Sequence, residues 1–287
     1  MPELPEVETI LRDLRPHVAG RRIVAARASR LLRSAPSPRR LARELPGRTI
    51  RRLRRRGKYL LLGLDDGREL LVHLGMTGRL VLEAPARPEG QHLHLALRLT
   101  GLDRELRFYD PRRFGRVALG WPRELAAGCG LGRLGVEPLA TPERELARLL
   151  ASQRKRLKAM LLDQSPVAGI GNIYADEALW RARLHPNRVA AALAPSEALR
   201  LARAIRSVLR EAIRQRGSSV ADYVDGSGQP GRFQDSHCVY GREGRSCPRC
   251  GAAVVREQIA GRSTHFCPRC QPLSPSSEAA LPRPHRR

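Results

Sequence analysis

The chain has 287 residues, with 53 Lys plus Arg against 28 Asp plus Glu and a formal net charge of +25. Hydrophobic residues make up 41% of it, and no apolar run approaches the roughly 18 residues a spanning helix needs. These numbers exclude a membrane-spanning protein, an acidic solvating tail and a chain too polar to build a core; the length fits two domains.

A helix opens the chain. Leu4, Val7, Ile10, Leu11 and Leu14 recur at helical spacing, Pro5 suits a first turn, and Glu6 and Glu8 stand where the helix dipole favours negative charge. From residue 22 to about 119 the pattern becomes β-type, with runs at 23–28, 49–64, 69–73, 79–82, 92–99 and 105–109. Leu93, Leu95, Leu97 and Leu99 alternate with other residues, the period of a half-buried strand, so an antiparallel sandwich is expected over residues 1–137.

Helical periodicity follows. Thr141-Pro142-Glu143 reads as cap, first turn and acidic start of a helix ending near residue 151; others are expected at 172–184 and 196–216. Residues 217–236, rich in Gly, Ser and Asp, read as a long loop that closes a helical domain of 138–236. A zinc-bearing segment occupies 237–271, and the Pro-, Ser- and Arg-rich tail at 272–287 is too poor in apolar residues to fold.

That zinc segment rests on cysteine arithmetic. Cys247 and Cys250 form one Cys-x-x-Cys, Cys267 and Cys270 another, and 16 residues separate them, within the spacing of a four-cysteine ribbon. The opening MPELPEVETI has no basic segment followed by an apolar one, so no secretory signal and no disulfides are expected. Four thiolates leave no open coordination position, which makes the Zn2+ structural, and no catalytic metal is expected. Cys129 and Cys238 fall outside the pattern as ordinary thiols.

The charge points to a partner. Only Lys58, Lys155 and Lys158 are lysines, so arginine supplies nearly all of the excess, as a GC-rich genome would favour. Residues 21–60 nevertheless hold 15 basic residues against one acid, Glu44. Nucleic acid is the inferred partner, since each phosphate neutralised releases counterions; a solvated basic surface is the alternative.

Chemistry starts at the N-terminus. Once Met1 is removed, Pro2 carries a secondary α-amine, far more of it neutral near pH 7 than a lysine side chain, and its attack on an aldehyde-level carbon gives an iminium. Glu3 beside it can act as a general acid. Taken alone, Pro2-Glu3 reads as an ordinary N-terminus.

The segment MPELPEVET resembles the start of bacterial formamidopyrimidine-DNA glycosylases, which remove 8-oxoguanine and ring-opened purines. Further blocks are similar to that family in its own order: Arg56-Gly57-Lys58-Tyr59-Leu60, His73-Leu74-Gly75-Met76, Asp110-Pro111-Arg112-Arg113-Phe114-Gly115, Gly169 to Ala175, and Gly261-Arg262 before the second zinc knuckle. They span residues 2 to 271.

The resemblance implies roles. Pro2 matches the family nucleophile, Glu3 the acid that protonates the sugar ring oxygen, Lys58 a proton donor and phosphate contact in β-elimination, and Arg262 a residue tied to δ-elimination and phosphate binding. Arginine is a poor proton donor, so Arg262 is expected to stabilise the charge of the leaving phosphate. Met76, Arg112 and Phe114 match the set that fills the gap left by a flipped base; otherwise Met76 and Phe114 would be core and Arg112 surface. Asn172, placed to cap a helix whose amides meet phosphate, belongs to an element resembling a helix-two-turn-helix. His73 and His92 match DNA contacts, Lys155 and Lys158 lie in the basic approach to that element with Lys155 a candidate DNA contact, and Glu6 matches a residue near the lesion pocket.

The expected protein is therefore α+β, with an N-terminal antiparallel β-sandwich, a helix-two-turn-helix domain carrying a lesion-recognition loop, and a zinc ribbon. It is expected to be a bacterial cytoplasmic monomer, nucleoid-associated through damaged double-stranded DNA, acting as a bifunctional glycosylase and AP lyase. Two alternatives stand beside it: an endonuclease VIII-like enzyme for oxidised pyrimidines, disfavoured by Leu4 and by the Met76, Arg112, Phe114 set, and a non-catalytic zinc-ribbon DNA-binding protein.

Overall fold

Helix α1, Leu4–Val18, begins where expected, and its buried stripe of Val7, Ile10, Leu11, Leu14 and Val18 joins a core shared by two sheets. The computed structural model describes residues 1–88, 90–220 and 222–273, and the chain divides into two units. Met1–Leu134 with Ala212–Gln234 forms the first, and Gly135–Glu211 with Asp235 onward the second.

The first unit is a β-sandwich. Strands β1 (Ile23–Ala28), β2 (Ser34–Ala35), β3 (Ile50–Arg56), β4 (Tyr59–Leu64), β5 (Glu69–His73), β6 (Arg79–Glu83), β7 (Leu93–Leu99), β8 (Glu105–Tyr109) and β9 (Arg116–Gly120) form a four-stranded sheet β1-β7-β8-β6 and a five-stranded sheet β2-β9-β5-β4-β3. All pairs are antiparallel except β2 with β9. Leu60, Leu62 and Leu64 of β4 face the shared core, whereas Leu61 packs with Leu71, Ala118, Leu125 and Cys129 beneath α3, Pro122–Gly128. Cover on both faces is why β4 reads as a continuous apolar run rather than an alternating one.

Several local expectations change. The run at 49–64 is a hairpin, because the two-residue turn Gly57-Lys58 joins Arg56 to Tyr59 with Gly57 at φ +54°. Strand β9, α2 (Pro38–Glu44) and α3 went unpredicted, although Ser37-Pro38 and Trp121-Pro122 are helix-start signals. The loop after 217 groups with the sandwich unit, not with the helices as the 138–236 boundary had it. Its hydrogen bonds explain this: Ser218 N–H donates to Glu6 Oε1 at 2.8 Å, Gly226 N–H to Asp13 Oδ2 at 3.1 Å, and Leu82 N–H to the Gly226 carbonyl at 3.1 Å.

The second unit contains α4 (Glu143–Ala151), α5 (Leu157–Leu162), α6 (Asn172–Ala182), most of α7 (Pro195–Arg214) and the hairpin β10 (Val255–Ile259) and β11 (Arg262–Phe266). Leu201, Ile205, Val208, Leu209 and Ala212 of α7 are all buried, as the stripe predicted. Thr141 is not a cap; its hydroxyl donates to the Glu137 carbonyl at 2.9 Å, and Pro142 occupies the cap position. Beyond Leu273 the expected tail lies outside the described residues. No described helix is long and apolar enough to cross a membrane.

Candidate active site and DNA-contact residues

The start of α1 is built around Glu6. Pro2 and Glu3 are buried just ahead of the helix, and the Glu3 amide donates to Glu6 Oε2 at 2.8 Å. The other oxygen of Glu6 takes the Ser218 amide, so one carboxylate ties the catalytic candidates to the 217–236 loop. Gly217 sits at φ +81°, and a Cβ there would meet Glu6 Oε1 at 2.8 Å, so only glycine fits this close approach. Tyr223 Oη donates to the Arg216 carbonyl at 3.1 Å, and Arg216 bridges Asp13 and Asp225 at 2.6 Å each. Sequence reasoning missed Ser218 and Tyr223, which carry no motif.

Lys58 is 6% exposed in the β3–β4 turn, with His73 in its electrostatic neighbourhood. Burial, then the positive charges of Lys58, Arg116 and Arg33, hold the His73 imidazole down at about 4, so it is neutral near pH 7. Its Nδ1 accepts the Gly75 amide at 3.2 Å and its ring lies 4.8 Å from Tyr59. These contacts make His73 a brace for the next turn. His92 is exposed immediately before β7.

That turn carries Met76. Met76 and Phe114 are 41% and 48% exposed, which rejects the core reading of both, and the Arg112 guanidinium lies 4.8 Å from the Phe114 ring centre. The two loops touch backbone to backbone, since a Cβ on Gly75 would meet Gly115 N at 2.5 Å. Buried Asp110 clips them together: Thr77 Oγ1 donates to its Oδ1 and Gly115 N–H to its Oδ2, both at 2.6 Å. The Arg112 amide also donates to Thr77 Oγ1 at 3.3 Å. Two exposed apolar side chains and an arginine thus share one rigid projection.

In the second unit, Asn172 is the first residue of α6 and Gly171 its cap, so the capping role expected of Asn172 is replaced by another. Its Nδ2 donates to the Ser263 carbonyl at 2.8 Å, which brings it beside β11, where Arg262 stands exposed at the hairpin tip. Ala260 and Gly261, both at positive φ, make the two-residue turn that presents Arg262. Lys155 is exposed and pairs with Asp163 at 2.5 Å. Lys158 departs from expectation: it is wholly buried against Asp176, so it is no part of a basic approach.

The four cysteine sulfurs of 247, 250, 267 and 270 all lie within 4.8 Å of one another, with Cys247–Cys270 at 3.9 Å and Cys250–Cys267 at 3.4 Å. A tetrahedral Zn2+ with bonds of about 2.3 Å needs sulfurs roughly 3.8 Å apart, so the donor set fits. Trp180 Nε1–H donates to Cys247 Sγ at 3.3 Å and Arg249 stacks on the indole at 4.0 Å. Glu177, buried on α6, accepts the amides of Cys238, Val239 and Tyr240 at 2.9–3.1 Å, which anchors the segment leading into the first knuckle; burial pushes its carboxyl up. Cys129 and Cys238 lie outside the cluster, and burial raises the Cys238 thiol to about 11, too high for ready reactivity.

Three family models match consecutive stretches: the formamidopyrimidine-DNA glycosylase N-terminal domain over residues 1–117, its H2TH domain over 134–224, and a zinc finger found in FPG and IleRS over 246–273. The chain belongs to the formamidopyrimidine-DNA glycosylase family. The formamidopyrimidine-DNA glycosylase of Thermus thermophilus is 49% identical over 282 residues, covering 96% of this chain and all of that one. That of Heliobacterium modesticaldum is 47% identical over 278 residues, 94% of this chain and all of its own. Among solved structures, Lactococcus lactis Fpg in complex with abasic-site DNA superposes with a TM-score of 0.86 at 36% identity, over 94% of this chain and all of that one. A complex of its G226P mutant with Fapy-dG DNA gives 0.87 at 36% identity, over 95% of this chain and all of that one.

Proposed function

We propose that the chain is a bifunctional DNA glycosylase and AP lyase of base excision repair that removes oxidised purines, 8-oxoguanine and formamidopyrimidines, from double-stranded DNA. The observation that carries this is a potential secondary amine, Pro2, adjacent to a buried carboxylic acid, Glu3, at the start of α1 in a chain of this family. After Met1 is removed, the Pro2 nitrogen attacks C1′ of the flipped nucleotide; the N–C1′ bond forms, the glycosidic bond breaks and the base leaves. Glu3 gives a proton to the ring oxygen as the C1′–O4′ bond opens, leaving an iminium. Loss of the C2′ proton then expels the 3′ phosphate, and loss of the C4′ proton expels the 5′ phosphate.

Lys58 serves the first elimination as proton donor and phosphate contact, and Arg262 stabilises the charge on the leaving phosphate. Met76, Arg112 and Phe114 fill the space vacated by the flipped nucleotide, the apolar pair as wedges and the arginine toward the orphaned base. Asn172, Lys155, His73 and His92 position the backbone, with His73 acting through the turn it braces, and Glu6 sets the lesion pocket by joining Glu3 to Ser218. One Zn2+ on the four cysteines supplies a cross-link and no chemistry at the lesion. The enzyme works as a monomer in the bacterial cytoplasm, at the nucleoid, without a catalytic metal.

The test is borohydride trapping with Met1 removal verified by mass spectrometry. A covalent adduct is expected with duplex holding 8-oxoguanine opposite cytosine; its absence sinks the enzymatic reading in favour of a non-catalytic binder. The endonuclease VIII-like alternative is kept in view because a Lactococcus lactis Fpg complex holds DNA with an oxidised pyrimidine. Faster release of thymine glycol than of 8-oxoguanine would favour it.

A further inference from the structure

Asp176 stands 1% exposed on α6, between two of the proposed DNA-contact residues, and its carboxylate links them in opposite directions. Oδ1 accepts from Lys158 Nζ at 2.5 Å, and the same ammonium donates to the Asn172 carbonyl at 3.1 Å. Oδ2 accepts the backbone amide of His265 at 2.9 Å, on the strand that begins with Arg262. The direct bond from Asn172 Nδ2 to the Ser263 carbonyl closes a ring around these groups. Neither member of the ion pair can reach a phosphate, since both side chains are 0% exposed.

A buried ion pair is weak evidence of stabilisation, because the desolvation of two charges offsets most of their attraction. Its geometric effect is specific, however. A cation beside the first turn of α6 opposes the helix dipole and is neutralised one turn further in, while the other carboxylate oxygen fixes the register of β11. We propose that Asp176 is a positioning residue for the DNA-backbone grip, holding Asn172 and Arg262 in one fixed relation so that the two engage phosphates together. This rests on the phosphate role proposed above for Asn172 and Arg262, and the experiment separates the two ideas.

Two paired variants test it, D176A/K158M and D176N/K158M, since removing Asp176 alone would strand a buried ammonium. Affinity for duplex holding a stable abasic analogue is measured for each, with and without N172A or R262A; zinc content and the thermal melt report folding. In the natural chain N172A and R262A should each weaken binding about tenfold and make the salt dependence shallower by about one phosphate. In D176A/K158M each should cost less than about twofold, because the relation they depend on is already lost. D176N/K158M keeps an acceptor for the His265 amide but breaks the link to Asn172, so there too N172A and R262A should each cost less than about twofold. If the alanine variant loses its melt, D176N/K158M decides alone. Full, additive effects of N172A and R262A in a folded paired variant overturn the positioning role, whereas no effect of either in the natural chain overturns the phosphate role itself, and the positioning role with it.

Discussion

The start of α1 and the tip of the β10–β11 hairpin hold their key side chains in opposite ways. At α1, Pro2 and Glu3 are buried and the surrounding hydrogen bonds run through the single carboxylate of Glu6. At the hairpin, Arg262 is exposed, and what is buried is the scaffold: Cys247 and Cys267 of the four-thiol cluster, Glu177 on three amides, and Asp176 on Lys158. Covalent chemistry needs a desolvated acid at a fixed place, while gripping a backbone needs a cation in water on a rigid support. The burial of the two regions matches the roles proposed for them, and variants in each should fail differently.

The largest effect belongs to the first region. Glu3→Gln should lower excision of 8-oxoguanine by about 10² to 10⁴, the usual contribution of a general acid, with DNA affinity little changed. Single-turnover rates and an equilibrium binding curve check it; loss of affinity without loss of rate would erase the contrast. Cys247→Ser should do the reverse at the hairpin, releasing zinc and weakening DNA binding by about 10-fold or more as the finger loses its cross-link. Metal analysis and a salt titration of affinity read this out, and retained affinity in the zinc-free protein would contradict it.

How much of this was legible in the sequence differs between the regions for the same reason. The zinc site is a spacing, 16 residues between two Cys-x-x-Cys pairs, and survives reading without a fold. The strands show through their Leu alternation, and α7 through its stripe. Pro2 carries no pattern, and only its resemblance to a family singled it out. The bonding roles of Asp110, Thr77, Asp176 and Glu177 were not legible because a hydrogen-bond hub is one residue whose partners lie far along the chain: Asp110 meets Thr77 33 positions away and Asp176 meets His265 89 away. Asn172 was seen at the right place with the wrong bond, since a helix start suggests capping locally and cannot announce a strand 91 residues on.

A smaller effect lies on the Met76 projection. Asp110→Ala should leave the Thr77 hydroxyl and the Gly115 amide without their acceptor, each at a cost of about 1–3 kcal/mol. Denaturant unfolding should show that loss, and discrimination of the base opposite the lesion should weaken as Met76, Arg112 and Phe114 lose their common support. Unchanged stability together with unchanged discrimination would detach Asp110 from the wedge.

The smallest expected effect is a pH dependence at His73. Its imidazole is held at about 4 in the folded chain, against an ordinary value near 6.5, by burial and by the charges of Lys58, Arg116 and Arg33. Between those two values the unfolded chain binds the proton and the folded chain does not, so acidification favours unfolding. Stability from this group is therefore full above about pH 6.5, falls as pH drops, and levels off below about 4, with a total of about 1–2 kcal/mol after allowance for its partial exposure. His73→Gln should flatten that part of the stability profile. The neutral ring accepts the Gly75 amide, and protonating Nδ1 removes that acceptor, so the Met76 turn should loosen over the same window. Chemical denaturation at pH 4.5 and pH 7.5 measures the difference, and an equal pH slope in the natural and Gln chains would show that His73 stays solvated and braces nothing.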